Sequence, residues 1–302
     1  TAKAKNLRLF VLGSGSNVIA HDEGFDGLVI RMRILGFEII EDNATYCVLK
    51  IGAGEDWDAT VKKTVDMRLS GIEAMSAIPG TVGASPVQNV GAYGQEVADT
   101  LVSLEAYDTT TNEVVTLDNQ ACEFSYRHSI FRGRELGRYI ILNVTLKLWK
   151  SLPKPPFYDS LQQYFDDKGI NIFTHQIVRD AVIAIRAEKL PDPKVLANTG
   201  SFFKNAIIEN WRLDDLRTKL PDLKSYDMGD GTTKIPTGWL IEKAGLKGQL
   251  LHGMRVYDKN ALVLVNESAS GYVDLASARD EIIAAIRDNY QIIIEQEPLE
   301  LA

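Results

Sequence analysis

The chain predicts an α+β fold, and three observations carry that prediction. Segments of strand and helix character are mixed along the sequence without the regular βαβ alternation that a doubly wound parallel sheet requires. The segment Tyr139–Trp149 alternates, with Ile140, Leu142, Val144, Leu146 and Leu148 facing one way and Asn143, Thr145 and Lys147 the other, as a half-buried strand does. Between Asp56 and Leu69 the apolar residues Trp57, Val61, Val65 and Leu69 recur at i, i+4, one stripe of an amphipathic helix. At 302 residues the chain exceeds the usual size of one core, so two or three domains are expected.

In chain order, Leu7–Leu12 reads as a buried strand running into the tight loop Gly13-Ser14-Gly15-Ser16-Asn17. Gly27–Met32 and Tyr46–Ile51 read as further strands, and Leu101–Tyr107 with Glu113–Leu117 as a strand pair. Asp159–Asp166 and His175–Glu188 read as helices, the second with Ile177, Ala181 and Ile185 on one stripe and Thr174 at its N-cap. Leu190-Pro191-Asp192-Pro193 breaks the chain and marks a domain boundary. Beyond it helices are expected near Trp211–Lys219, Gly238–Ala244 and Val273–Asn289, and strands at Ala261–Val265 and Gln291–Ile294.

Lysine and arginine total 33 against 41 aspartates and glutamates, a formal net charge of −8. That excess argues against nucleic acid as partner, because neutralising phosphates needs a basic field. Local positive charge remains at Arg179, Arg186, Lys189 and Lys194, of which Arg179 and Lys194 read as a solvated helix face. No apolar run reaches the ~18 residues of a membrane span. Cys47 and Cys122 lie far apart in no metal-like spacing, which predicts a reducing cytoplasm and no disulfide framework. No metal site is expected, and His128 has no second ligand at suitable spacing.

Five segments can carry chemistry. Gly13–Asn17 lets backbone N–H groups converge on a phosphate oxygen, and it is equally an ordinary strand-ending turn. Val18 replaces the third glycine of a Rossmann fingerprint, and no Gly-Lys-Ser/Thr follows as in a P-loop. Ile78–Gly94 is glycine-rich yet apolar, containing Pro79, Gly80, Gly83, Ala84, Ser85, Gly91, Ala92 and Tyr93. Such a segment suits backbone packed closely against a large planar or pyrophosphate ligand. Arg127, between Tyr126 and His128, can hold a carboxylate in a partly dry site, although residue type alone favours a surface arginine lying on Tyr126. Ser201, in Asn198–Asn205, lacks the glycines of a nucleophile elbow, which leaves a proton donor or a turn residue. In the tail, an apolar strand runs into Glu295, Gln296 and Glu297 and can deliver a carboxylate to a site.

Taken together and in order, these segments resemble the UDP-N-acetylenolpyruvoylglucosamine reductase family. The matching stretches are Leu12–Ile19, Asp22–Gly27, Gly71–Gly94, Phe124–Phe131, Lys189–Asn205, Gly238–Gly248 and Ala261–Asn266, with Ile78–Gly94 and Gly200–Asn205 the most specific. The segment around Phe157-Tyr158-Asp159 is similar to the tyrosine loop that one variety of the family places over the substrate. The resemblance implies a two-part FAD-binding region of the vanillyl-alcohol-oxidase (PCMH) type and an α+β substrate-binding domain. By position, 1–39 would be the first flavin subdomain, which the resemblance leaves N-terminally incomplete beside members with some tens of residues ahead of this loop. Residues 40–190 are the second, 191–290 the substrate domain, and 291–302 a strand returning to the flavin.

The same resemblance implies a cytoplasmic, monomeric enzyme of peptidoglycan precursor synthesis, and so of cell shape and division. It consumes NADPH and reduces UDP-N-acetylglucosamine enolpyruvate to UDP-N-acetylmuramate. Gly13–Asn17 and the second glycine segment would hold FAD. Arg127 and Glu297 would stabilise charge on the substrate carboxylate, and Ser201 would protonate C2. Tyr158, Arg186, Lys189 and Asn205 would bind the substrate diphosphate and the nicotinamide nucleotide. Leu250 stands where some members carry a glutamine near the catalytic carboxylate. Two other readings differ in class: another flavin oxidoreductase of the same fold, and a nucleotide-binding module without catalysis.

Overall fold

The computed structural model describes residues 2–302; Thr1, the first residue of the expected first subdomain, lies outside them. The chain separates into two compact units, one of residues up to Ser16 with Phe25–Arg186, the other of Asn17–Gly24 with Ala187–Ala302.

The first unit is built on a five-stranded antiparallel sheet in the order Phe37–Asp42, Tyr46–Gly52, Tyr139–Trp149, Leu101–Asp108, Glu113–Asp118. Cys47, Leu49 and Ile51 alternate into its core. Helix α1, Trp57–Asp66, covers that core with Trp57, Val61 and Val65, the stripe read from the sequence. Asp56 starts the helix by accepting the Ala59 N–H at 2.8 Å, which satisfies one of the free donors of its first turn. Arg8–Leu12 pairs in parallel with Gly27–Arg31 and is half-buried rather than buried.

The strand Tyr139–Trp149 has the predicted bounds, but its alternation is interrupted. Its register against Leu101–Asp108 shifts between Ile141 and Asn143, as at a β-bulge, and one extra residue exchanges the two faces. Ile141 therefore enters the core while Ile140 and Leu142 are only half-buried; Val144, Leu146 and Leu148 are buried as expected.

Helices α2, Asp159–Lys168, and α3, His175–Lys189, share a separate core of Leu161, Phe165, Val178, Ala181, Val182 and Ile185. Thr174 accepts the Ile177 N–H at 3.2 Å, as an N-cap does. Arg179 is not part of a solvated face: it is 6% exposed and paired with Asp58. Lys194 is exposed. The peptide between Pro155 and Pro156 is cis.

The second unit contains a four-stranded sheet in the order Asn198–Ser201, Val263–Asn266, Met254–Val256, Leu250–Leu251, and a three-stranded sheet of Ala206–Glu209, Thr232–Ile235 and Tyr226–Asp227. Helices α4, Leu213–Lys219, α5, Thr237–Lys243, and α6, Tyr272–Tyr290, lie within it. Its core gathers Phe202, Phe203, Ile235, Leu240, Ile241, Ile282 and Ile286. Trp211, expected at the start of a helix, sits in a preceding 3-10 turn and is 75% exposed.

Gln291–Ile294 is not a strand. It alternates, with Ile292 and Ile294 buried and Ile293 exposed, but among the described residues no neighbouring backbone makes a ladder with it. The final strand is Leu299–Leu301, parallel to Val18–Ala20.

Candidate functional site

In the first unit the two glycine segments meet. The Ser16 hydroxyl donates to the Pro79 carbonyl at 3.1 Å, and a Cβ at Gly13 would lie 2.8 Å from Thr81 Oγ1. Only a residue without a side chain permits that approach. Gly83 packs closer still: a Cβ there would be 2.4 Å from the Ala53 Cβ and within 3.0 Å of its backbone. Ser14, Gly15, Ser16, Pro79 and Ala84 are exposed. The N–H groups of Gly13, Ser14, Gly15, Ser16, Gly80 and Thr81 make no hydrogen bond among the described residues. Thr81 Oγ1 is buried and likewise has no partner among them. A cluster of free N–H donors around an unsatisfied hydroxyl at a glycine-lined approach fits the diphosphate of a dinucleotide such as FAD. Ser85, by contrast, is buried, and its hydroxyl donates to the Val82 carbonyl at 2.7 Å.

Arg127 is half-buried with φ of 52°, and its guanidinium donates to the carbonyls of Gly91 at 2.6 Å and Asn89 at 3.4 Å. Its Cζ stands 5.2 Å from the Tyr126 ring centroid. The arginine does lie on Tyr126, and it is also tied to the segment that contains Gly91 and Ala92. Asn89, fully buried, locks the same turn by accepting the Ala98 N–H and donating to the Ser125 carbonyl.

Tyr93 meets Tyr158 edge to face, with centroids 6.1 Å apart, and burial pushes its phenol up against the opposing charge of Arg186. Burial pushes the Arg186 guanidinium down, countered by Tyr93 and Asp58, and its Nε donates to the Ala77 carbonyl at 3.2 Å. Tyr93, Gly94 and Tyr158 border a cavity of about 300 Å³ that reaches Trp149 and Phe157. The sequence reading missed the ion pair beside this cluster, Asp58 with Arg179. Two-pronged bonds of 2.6 and 2.8 Å join them.

In the second unit Ser201 is exposed and ends the strand Asn198–Ser201, following Gly200 at φ 62°. The tail runs back along this segment: Glu297 donates its N–H to the Phe202 carbonyl at 2.7 Å, and Lys204 donates its N–H to Glu295 at 2.9 Å. This pairing sets Glu297 across from Phe202, one residue from Ser201. Asn17 fastens the same tail, its amide donating to the Glu297 carbonyl at 3.4 Å and its carbonyl accepting the Leu299 N–H at 3.0 Å. Asn205 accepts the Thr237 N–H at 3.1 Å at the start of α5. Lys189 and Leu250 are exposed. Among the described residues no cluster of three or more His, Cys, Asp or Glu is placed to hold a metal ion, and no helix is long and apolar enough to cross a membrane.

Comparison with known proteins covers both units. The family model of the FAD binding domain matches residues 1–118. That of the UDP-N-acetylenolpyruvoylglucosamine reductase C-terminal domain matches residues 192–300. The chain is 40% identical to the UDP-N-acetylenolpyruvoylglucosamine reductase of Ralstonia nicotianae, covering 98% of this chain and 87% of that protein. It is also 40% identical to the reductase of the same name from Flavobacterium johnsoniae, covering 97% and 87%. The crystal structure of the UDP-N-acetylenolpyruvylglucosamine reductase of Thermus caldophilus superposes with a TM-score of 0.67 at 21% identity, over 100% of this chain and 88% of that one, and so shares the fold. An α+β chain whose two glycine segments meet around free donors, and which aligns over 97–98% of its length with these reductases, belongs to the UDP-N-acetylenolpyruvoylglucosamine reductase family.

Proposed function

We propose that this chain binds FAD and uses NADPH to reduce UDP-N-acetylglucosamine enolpyruvate to UDP-N-acetylmuramate, as a cytoplasmic monomer supplying peptidoglycan synthesis. The observation that carries the reading is the meeting of Gly13–Ser16 with Pro79–Thr81 around free N–H donors, in a chain of this family. The expected division into flavin subdomains 1–39 and 40–190, substrate domain 191–290 and returning tail 291–302 belongs to the same proposal.

Gly13–Ser16 and Pro79–Thr81 would hold FAD, which would supply the hydride chemistry between NADPH and C3 of the enolpyruvyl ether. The chain's own residues manage the charge and the proton. Negative charge then builds on the substrate carboxylate, as in an enolate, and preorganised partners lower its energy in a site closed to water. Arg127 supplies the positive partner; its bonds to Gly91 and Asn89 hold the guanidinium in place before the substrate arrives. Glu297 supports the same carboxylate through hydrogen bonds. Ser201 gives the proton to C2. A serine hydroxyl is a weak acid, so this step works only beside a strongly basic carbon with water excluded. Tyr158, Arg186, Lys189 and Asn205 orient the substrate diphosphate and the nicotinamide nucleotide.

The Ser201→Ala variant tests the assignment by rapid mixing. Bleaching of the flavin by NADPH stays close to the wild-type rate, and reoxidation by the enolpyruvyl substrate is lost. Equal loss of both half-reactions overturns the role of Ser201.

A further inference from the structure

We propose that Asp58 and Arg179 are positioning residues for the flavin-binding segment, acting through Ala77 to fix how the chain enters Ile78–Gly80. The proposal rests on the reading of that segment as an FAD cradle.

Ala77 has φ of 58°, in the left-handed region that a residue with a Cβ occupies only when its surroundings impose it. Its two backbone polar groups are both held by side chains. Its N–H donates to Asp58 Oδ1 at 2.6 Å, and its carbonyl accepts Arg186 Nε at 3.2 Å. Asp58 is in turn gripped by Arg179, whose Nη1 reaches Oδ1 at 2.6 Å and whose Nη2 reaches Oδ2 at 2.8 Å. The same Nη1 donates to Ser76 Oγ at 3.0 Å, and Ser76 is fully buried. On the α1 side, Trp57 donates its indole N–H to the Met75 carbonyl at 3.1 Å and its backbone N–H to the Gly80 carbonyl at 3.1 Å.

The segment 75–80 is thus clamped between the first turn of α1 and one face of α3, where Arg179 and Arg186 stand two turns apart. Pro79, Gly80 and Thr81, which meet the first glycine loop, follow directly. Burial pushes the Asp58 carboxyl up, but the bonds from Arg179 and Ala77 and the charges of Arg179 and Arg186 outweigh it and hold it below its ordinary value. The clamp is therefore charged at neutral pH. The effect of Asp58 and Arg179 reaches the flavin through backbone conformation.

Titration of the flavin-free full chain with FAD, followed by quenching of flavin fluorescence, tests the proposal. Asp58→Asn keeps the shape but loses the charge that anchors Arg179, and weakens FAD binding about tenfold. Glycine adopts the conformation of Ala77 without strain. Adding Ala77→Gly to Asp58→Asn therefore restores at least half of that loss on a logarithmic scale, a rescue that general destabilisation does not give. If Asp58→Asn fails to fold, Arg179→Lys replaces it: the charge is kept, the two-pronged contact is lost, and binding weakens about fivefold with the same rescue. Unchanged affinity in these variants, or a loss that Ala77→Gly leaves untouched, overturns the positioning role while wild-type binding stands. A wild-type chain that takes up no FAD overturns the cofactor reading itself.

Discussion

Gly83 shows how closely single residues are specified around the glycine segments. A methyl group there meets Ala53 side chain and backbone at once, and backbone cannot move aside cheaply. Gly83→Ala is expected to destabilise the chain by about 1–3 kcal/mol, read from the urea midpoint at constant slope. Arg127→Lys keeps a positive charge but replaces the planar fork that spans two carbonyls. It is expected to lower kcat by about 10²-fold, the scale of losing one preorganised donor to a developing anion; a variant with wild-type kcat would remove Arg127 from the reaction. At this scale the glycine positions were legible, because glycines set among apolar residues mark backbone that packs closely or turns sharply. Arg179 was not: its partner Asp58 lies 121 residues away, and charge pattern along one helix carries no trace of it. Thr81 carries no mark in the sequence either, since an unsatisfied hydroxyl is a property of packing.

Elements were legible where pattern and cap agree. Helix α1 combines a single apolar stripe with Asp56 at its start, and Asp56→Ala is expected to cost about 1 kcal/mol, measurable by denaturant unfolding. Tyr139–Trp149 kept its bounds but not its faces, because a bulge depends on how a neighbouring strand is aligned. Gln291–Ile294 has strand-like alternation without a partner, so burial and not a ladder accounts for the pattern. The strand Leu101–Asp108 ends at an ion pair. Asp108, 2% exposed, accepts Arg138 Nη2 at 2.7 Å, and this bond, with the Thr110 N–H, outweighs burial and holds its carboxyl at about 2 against an ordinary 3.8. A carboxyl whose folded pKa is depressed adds stability above its unfolded pKa and loses it as pH falls through the folded value. The contribution of Asp108 is therefore complete above about pH 4 and disappears toward pH 2. Thermal unfolding between those limits should fall less steeply in Asp108→Asn than in wild type; identical slopes would contradict the pairing.

On the scale of the whole molecule, the α+β class followed from mixed periodicities alone, and the family from ordered motifs along nearly the entire chain. The assignment of Asn17–Gly24 to the second unit was not legible, because it depends on the parallel pairing of Val18–Ala20 with Leu299–Leu301 across the length of the sequence. Ser201, Glu297 and Asn17 are drawn into one register by that tail, and Arg127 is anchored to the glycine segment of the other unit. The most direct measurement is the rate of NADPH oxidation by the FAD-loaded chain with and without UDP-N-acetylglucosamine enolpyruvate. The account predicts rapid oxidation only when the substrate is present, with one UDP-N-acetylmuramate formed for each NADPH consumed. Oxidation indifferent to the substrate, or no oxidation by a flavin-loaded chain, would contradict it.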